Sequence, residues 1–511
     1  MACPGIFASL WACGIAIGTE SGSPFRLLQK VQKILHFLNP LTEWSYARAS
    51  GNLTLTPVKE AAQALAIVTH LSNLSGLIEA GEVQAMVTNQ SSAENSAHAK
   101  SGPGRRTVLG VFAAAVASGT ARPATAQTTP TSPTPTLTIG YVHWLHEVDT
   151  ISYIFTPAPD NGRAGAEVAI VDNNTTGRFM HQNFALDTVE VRTDQDPVAA
   201  LNTLVAKGIR LVVTDRPAPD VLKLSDAAAA HGVTIFNAGA AEDALREEDC
   251  RGNVIHTAPS FNMLTDGLAQ YLIWKRWPRW VLTYGENSQD LLLAAAYRRS
   301  AKIFGAHLVA ERQYKGKAGS RETDTGLIEL QEQLPVFTQN LPDYDVLLCA
   351  DTQSVFAAYL PYRTWDARPV AGSAGLIPTS WDPNSLEFGG RQMQDRFVAY
   401  AHRFMTALDM NAWVAVRMIG TAASYAQSLE PDKIMAYMRG PDFQLGAYRG
   451  LSLSVRDWNG QVRQAIILSD SGRCVVSMSP QPGFLHQRTV LDTLGTDKPE
   501  TTCKLTTAQK G

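Results

Sequence analysis

The chain has 511 residues, 45% of them hydrophobic and 18% charged, with a formal net charge of −3. That is enough apolar material for sizeable cores. The near-neutral balance excludes the basic footprint of a nucleic-acid binder.

The first hundred residues are poor domain material. Apolar patches such as "IFASLWACGIAIG" alternate with Ser/Asn/Ala-rich stretches such as "NQSSAENSAHAKSGPG", without a sustained strand or helix pattern. An export signal follows at Gly104 in "GRRTVLGVFAAAVASGTARPATAQ". Arg105 and Arg106 precede an apolar run from Val108 to Ala117, too short for a membrane span of roughly 20 residues. Ala124-Thr125-Ala126 then offers small residues for signal peptidase. The expectation is an over-extended N-terminus over 1–100, with Met86 as a candidate start. The signal then occupies 101–126, and the mature chain begins near Gln127. A buried Ala-rich helix is the alternative, and Sec and twin-arginine export are both compatible with the arginine pair.

The remaining 385 residues suggest about two domains. They carry 35 basic and 41 acidic residues and no apolar run of membrane-spanning length. A Thr/Pro linker, 127–136, precedes an alternating rhythm. "LTIGYVHW" reads as a strand, "AGAEVAIVDNN" as a helix that Gly177 ends, with nearby asparagines satisfying its last carbonyls. "DTVEVRT" is a strand and "DPVAALNTLVAKG" a helix, with Asp196 as N-cap, Pro197 in its first turn and Gly208 as its stop. "IRLVVTD", "APDVLKLSDAAAAHG" and "VTIFNAG" repeat the unit, the signature of βαβ units in a parallel sheet.

After a pause at 246–260 the rhythm restarts, from a helix over 261–275 through "WVLTYGE", "HLVAERQY" and "YDVLLCADT" to "RPVAGSAG". The fold class expected is α/β: two lobes, each a parallel sheet flanked by helices. Lobe 1 takes 137–258, lobe 2 takes 259–380, and helices over 381–440 return to lobe 1. A C-terminal hairpin and tail take 441–511, and Asn459-Gly460 fits a two-residue type I′ turn. Cys250, Cys474 and Cys503 can supply one disulfide in an oxidising compartment. Cys349, inside a buried-strand pattern, is expected to be a core thiol.

Two α/β lobes with returning helices and a hairpin resemble the type I periplasmic binding proteins of ABC transporters, the branched-chain amino-acid-binding group. The words "GYVHWLHEVDTIS", "DNNTTGRF", "HTAPSFNMLTDGLAQYL", "RPVAGSAGL", "SPQPGFLH" and "LDTLG" resemble a subfamily associated with pyrroloquinoline-quinone-dependent alcohol dehydrogenases. The likeness covers about 137 to 503. It implies a periplasmic protein that captures a small organic ligand between its lobes and delivers it to an inner-membrane ABC permease. The chain is then a monomer without cofactor or metal, and not an enzyme. A periplasmic sensor or accessory protein of the quinoprotein system is the alternative.

Ligands of open parallel sheets sit beyond the carboxyl ends of strands. On that rule the ligand-binding candidates in lobe 1 are Trp144, His146, Thr214, Asp215, Asn237, Ala238 and, at the start of the next helix, Ser260. Those in lobe 2 are Tyr284, Asp351, Thr352 and Ser373. Helix capping and turn formation compete for each polar one. Trp365 and Trp381 add to the aromatic surface that can cover an apolar ligand. Asp215 carries a negative charge to the cleft that Arg216 is positioned to neutralise. Left uncompensated, it disfavours anionic ligands and favours neutral hydroxylated or cationic ones. Asp215→Asn is then expected to leave folding nearly intact. His143, His146, Glu147 and Asp149 lie close in sequence, but not in a zinc-hydrolase order. "WKRWPRW" over 274–280 reads as packing tryptophans with cations at a helix end rather than a nucleic-acid groove. Phosphate-loop, nucleophile-elbow and dinucleotide-binding motifs are lacking, which argues against an ATPase, a hydrolase or a dehydrogenase.

Overall fold

A computed structural model of the chain describes residues 135–145, 157–316, 324–470 and 472–505, without side chains over 324–328. The expected signal, nearly all of the linker, and His146, Glu147 and Asp149 lie outside these residues.

Lobe 1 is built from β1 (Thr136–Leu145), α1 (Arg163–Met180), β2 (Asn183–Arg192), α2 (Pro197–Ala206), β3 (Leu211–Thr214), α3 (Ala218–Ala229), β4 (Thr234–Asn237) and β5 (Val254–His256). The five strands are parallel, in the order β2-β1-β3-β4-β5. β3 is buried along its whole length and apolar up to Thr214, as suits a central strand covered on both faces. Asp196 caps α2 by accepting from the Val198 N–H at 3.0 Å, with Pro197 at the first position, as its sequence indicated.

Lobe 2 repeats the order. It comprises α4 (Phe261–Trp274), β6 (Arg279–Tyr284), α5 (Ser288–Phe304), β7 (His307–Gln313), α6 (Asp324–Thr338), β8 (Val346–Ala350), α7 (Leu360–Arg363), β9 (Val370–Gly372) and β10 (Leu376–Thr379). The parallel strands run β7-β6-β8-β9-β10, matching β2-β1-β3-β4-β5 position for position. The chain then returns to lobe 1 as α8 (Gly390–Ala401), α9 (Ala407–Ala426) and α10 (Pro431–Met438). Met393, Phe397, Trp413 and Ile434 from these helices share one buried cluster with Ile139, Val213 and Phe236 of the first sheet. β11 (Ser454–Val455) and β12 (Val462–Arg463) form a small hairpin, and β13 (Ile466–Asp470) and β14 (Val475–Ser479) extend the second sheet antiparallel beyond β10.

Several local expectations are corrected. α1 runs past Gly177 to Met180 and ends on His181, left-handed at φ 53°. Gly177 is needed for another reason: a Cβ there would stand 2.4 Å from the Gln182 carbonyl oxygen. The asparagines reach elsewhere, Asn174 to the Phe184 backbone and Asn173 to the Val416 carbonyl of α9. Asn459-Gly460 is not a two-residue turn. β11 and β12 are joined by 456–461, with only Gly460 of that pair at positive φ, and the Gly460 carbonyl accepts from His256 N–H at 2.9 Å. Pairing with the edge of the first sheet outweighs the local turn preference. Trp381 is buried in the lobe 1 core, while Trp365 is exposed.

Cys250 and Cys503 form the disulfide; Cys349 is buried and Cys474 exposed. In "WKRWPRW", Trp280 is fully buried and Lys275 lies 4.6 Å from the ring centre of half-exposed Trp274. Among the described residues no helix is long and apolar enough to cross a membrane.

Candidate functional site

The β1–β3 register aligns Tyr141 with Val213 and Val142 with Thr214. One step further along, it sets His143 beside Asp215 at the carboxyl ends of both strands. There the Asp215 carboxylate turns back to β1. Its Oδ2 accepts from Tyr141 Oη at 3.2 Å and pairs with His143 Nδ1 at 2.7 Å, and its Oδ1 accepts from the Trp144 N–H at 2.6 Å. His143 Nε2 meets the Pro159 carbonyl at 3.0 Å. A carbonyl can only accept, so Nε2 donates to Pro159, and the 2.7 Å contact between Nδ1 and Asp215 Oδ2 holds a second proton between ring and carboxyl. Burial opposes a charged imidazole, but the hydrogen bond and charge of Asp215, with the Pro159 carbonyl, outweigh it and raise the His143 pKa. Burial first, then the Asp215 charge, pushes the Tyr141 phenol well up, so it stays a donor.

Arg216 is not the counter-ion of Asp215. It is itself buried, pairs with Asp220 at 2.5 Å, donates to the Val191 and Arg192 carbonyls, and lies 5.5 Å from the centre of the Trp144 ring. The i, i+4 spacing of Arg216 and Asp220 across the start of α3 makes that pairing local and easy. The charge of Asp215 is therefore answered by His143, and the site is closer to neutral than Asp215 alone suggests.

These ends border a cavity of about 580 Å³, which falls in the size range of small-molecule sites. Its walls include Trp144, Leu145, Pro157, Ala158 and Leu408; Asp215, Ala238, Gly239 and Asn411 line it too, and Arg192 joins them. Gly239 permits the narrow β3–β4 approach, because a Cβ would stand 2.5 Å from the Asp215 carbonyl oxygen. The Trp144 indole N–H donates to Thr193 Oγ1 at 3.1 Å, which with Arg216 behind it fixes the ring.

Of the sequence candidates, Trp144, Asp215 and Ala238 meet at this cavity. Thr214 is buried, its hydroxyl on the Val142 carbonyl. Asn237 folds its amide into its own turn, accepting from Ala240 N–H at 2.9 Å and contacting His256 Nδ1 at 3.0 Å. His256 is held neutral, its pKa lowered well below normal by burial and then by Arg246. Ser260 caps α4 through Met263 N–H at 3.3 Å. His146 is outside the described residues.

The lobe 2 candidates sit at the equivalent strand ends but not on this cavity. Asp351 accepts from the N–H groups of Val355, Phe356 and Ala357 at 2.7–2.8 Å. Its own N–H donates to Ser373 Oγ at 2.9 Å. Thr352 donates to Asp290 through N–H and hydroxyl, at 2.6 and 2.8 Å. Tyr284 stacks under Arg298, 5.1 Å from the ring centre. Sequence reasoning missed Pro157 to Pro159, Arg192, Leu408 and Asn411. Asn411 alone carried a signal: an amide inside the apolar helix word "MNAWVAV".

Residues 157–324 match the family model described as periplasmic binding protein. A periplasmic binding protein from Burkholderia mallei aligns over 72% of this chain and 98% of its own at 16% identity, TM-score 0.54. A branched-chain amino acid ABC transporter periplasmic ligand-binding protein from Burkholderia xenovorans aligns over 67% and 95%, also at 16% and 0.54. A solute-binding protein of an ABC transporter from R. palustris, solved with benzoate, aligns over 73% and 100% at 12% identity, TM-score 0.51. No curated protein matches the chain.

Proposed function

We infer the function from a fold that matches the type I periplasmic binding proteins, with parallel sheets flanked by helices in two lobes of identical strand order. We propose that the chain is a periplasmic solute-binding protein that captures a small organic ligand between its lobes and hands it to an inner-membrane ABC permease. The observation that carries this reading is the cavity at the carboxyl ends of β1, β3 and β4, walled by a fixed Trp144 beside an internally compensated Asp215. Such strand ends are where ligands of open α/β sheets bind. Trp144, Asp215 and Ala238 form the first jaw, with His146 following β1 and Thr214, Asn237 and Ser260 shaping its loops. Tyr284, Asp351, Thr352 and Ser373 form the second. Six sequence words, from "GYVHWLHEVDTIS" to "LDTLG", resemble a subfamily associated with quinoprotein alcohol dehydrogenases, and that resemblance supports a role linked to alcohol oxidation. Export to the periplasm and monomeric action belong to the same reading.

The test is a thermal-shift screen of amino acids, carboxylates, aldehydes and alcohols on the purified protein and on Trp144→Ala. A ligand at 100 times its Kd adds about 2.7 kcal/mol. One class should stabilise the wild type and not the variant. Equal stabilisation of both proteins, or none by any class, overturns the reading.

A further inference from the structure

Among the described residues the chain passes between the lobes three times before its C-terminal segment: from β5 to α4, from β10 to α8, and from α10 to β13. The C-terminal segment makes a further connection. Leu494 shares the apolar core of lobe 2 with Leu268 and Leu282. Gly495 N–H donates to the buried Asp266 of α4 at 2.8 Å, and Glu500 pairs with Arg299 of α5 at 3.4 Å. The next residues leave lobe 2. Glu247 Oε2 accepts from the Thr502 N–H at 2.7 Å and from the Thr501 and Thr502 hydroxyls at 3.0 and 3.2 Å. Cys503 is then bonded to Cys250. Both Glu247 and Cys250 stand in a loop of lobe 1: Leu245 lies in a core cluster with Val212 and Ile235, and Arg251 pairs with Asp226 of α3 at 2.7 Å.

That loop also lies against lobe 2. The Ala241 carbonyl accepts from Phe261 N–H at 2.9 Å, and the Asp243 carboxylate accepts from Asn262 N–H at 3.2 Å. Glu242 Oε1 accepts from Gln289 Nε2, in the first turn of α5, at 2.8 Å. Each such bond contributes on the order of 1 kcal/mol and yields to a hinge motion. The disulfide does not yield. Cys503 is eight residues beyond Gly495, so an extended chain between them reaches at most about 28 Å. A covalent link of that reach sets a ceiling on how far Cys250 can move from α4. A disulfide that served only to anchor the chain end would find its partner in the lobe on which the tail already packs; this one joins the other lobe.

We infer that residues 494–503, closed by the Cys250–Cys503 bond, form a strap that limits the separation of the lobes by holding the 242–250 loop of lobe 1 on α4 and α5 of lobe 2. Two-lobed binding proteins open and close about the hinges at their crossovers. The strap adds a covalent restraint beside those hinges. It goes beyond the solute-binding reading and is the same whichever ligand the cavity takes.

The test is amide hydrogen exchange, read by mass spectrometry on the purified protein without added ligand, for wild type and Cys250→Ser/Cys503→Ser. The N–H groups of Phe261 and Asn262 report the contact between lobes, and residues 268–272, buried in the same helix, report the integrity of α4. Without the bond, exchange at 261–262 should rise about fivefold or more, the lower end of conformational couplings, while 268–272 stay unchanged. No rise at 261–262 overturns the inference. So does an equal rise along all of α4, because the bond then only staples the fold. If the double variant does not fold, wild type is compared before and after dithiothreitol, which opens the bond to two thiols and is itself oxidised to a cyclic disulfide; the same two results overturn the inference. Either leaves the solute-binding reading to the ligand screen.

Discussion

Asp215 and Asp351 occupy the same place in the two lobes. Each follows the central strand, β3 or β8, that pairs with the lobe's first strand, β1 or β6. Their partners differ. Asp351 spends its carboxylate locally, on three N–H groups within six residues. Asp215 spends its own on a strand more than seventy residues away, on His143, Tyr141 and Trp144 N–H. The local carboxylate organises a turn, whereas the non-local one fixes the end of β1 and, with it, the wall of a cavity. Equal topology did not make equal sites; what lies opposite each carboxylate did.

Asp351→Ala should give the largest effect. Three buried N–H groups lose a charged acceptor, and a loss of about 3–4 kcal/mol is expected from denaturant unfolding. A loss below about 1 kcal/mol would mean that the turn holds without its carboxylate.

Asp215→Asn comes next, at about 2 kcal/mol, because a buried imidazolium loses its anion. This replaces the expectation that the substitution spares folding, which assumed a carboxylate with no buried cation depending on it. Equal stability of the two proteins would break the contrast with Asp351.

The same pair gives a pH signature. The His143 pKa is raised in the folded protein, so its stabilising contribution is complete below the unfolded value of about 6.5 and fades as pH rises through the folded one. Wild-type unfolding free energy should therefore carry a decline above about pH 6.5 that Asp215→Asn lacks. Parallel pH profiles for the two proteins would show that His143 does not titrate against Asp215. The smallest effect is expected for Ser373→Ala, about 1 kcal/mol from one neutral hydrogen bond to the Asp351 N–H. It should leave the His143 profile untouched.

Short-range physics was legible in the sequence. Alternating strand and helix words set the α/β class, and Asp196-Pro197 set the start of α2. The all-apolar "VLLCA" marked a central strand with a buried thiol. Each follows from chemistry within a few residues: a cap and its N–H, a φ fixed by proline, a side chain with no polar group to solvate. The carboxyl-end rule also named Trp144, Asp215 and Ala238, which border the cavity, since a parallel sheet puts such ends on one edge. What the sequence could not decide was which distant group meets each of them. Arg216 adjoins Asp215 in the chain, yet the helical turn hands it to Asp220, and the β1–β3 register gives Asp215 to His143. Asn411 faces Ala238 only because α9 returns from the second lobe to pack on the first sheet. Those pairings belong to register and helix return, which are fixed when whole elements bury their apolar faces together and not by any residue's neighbours in sequence.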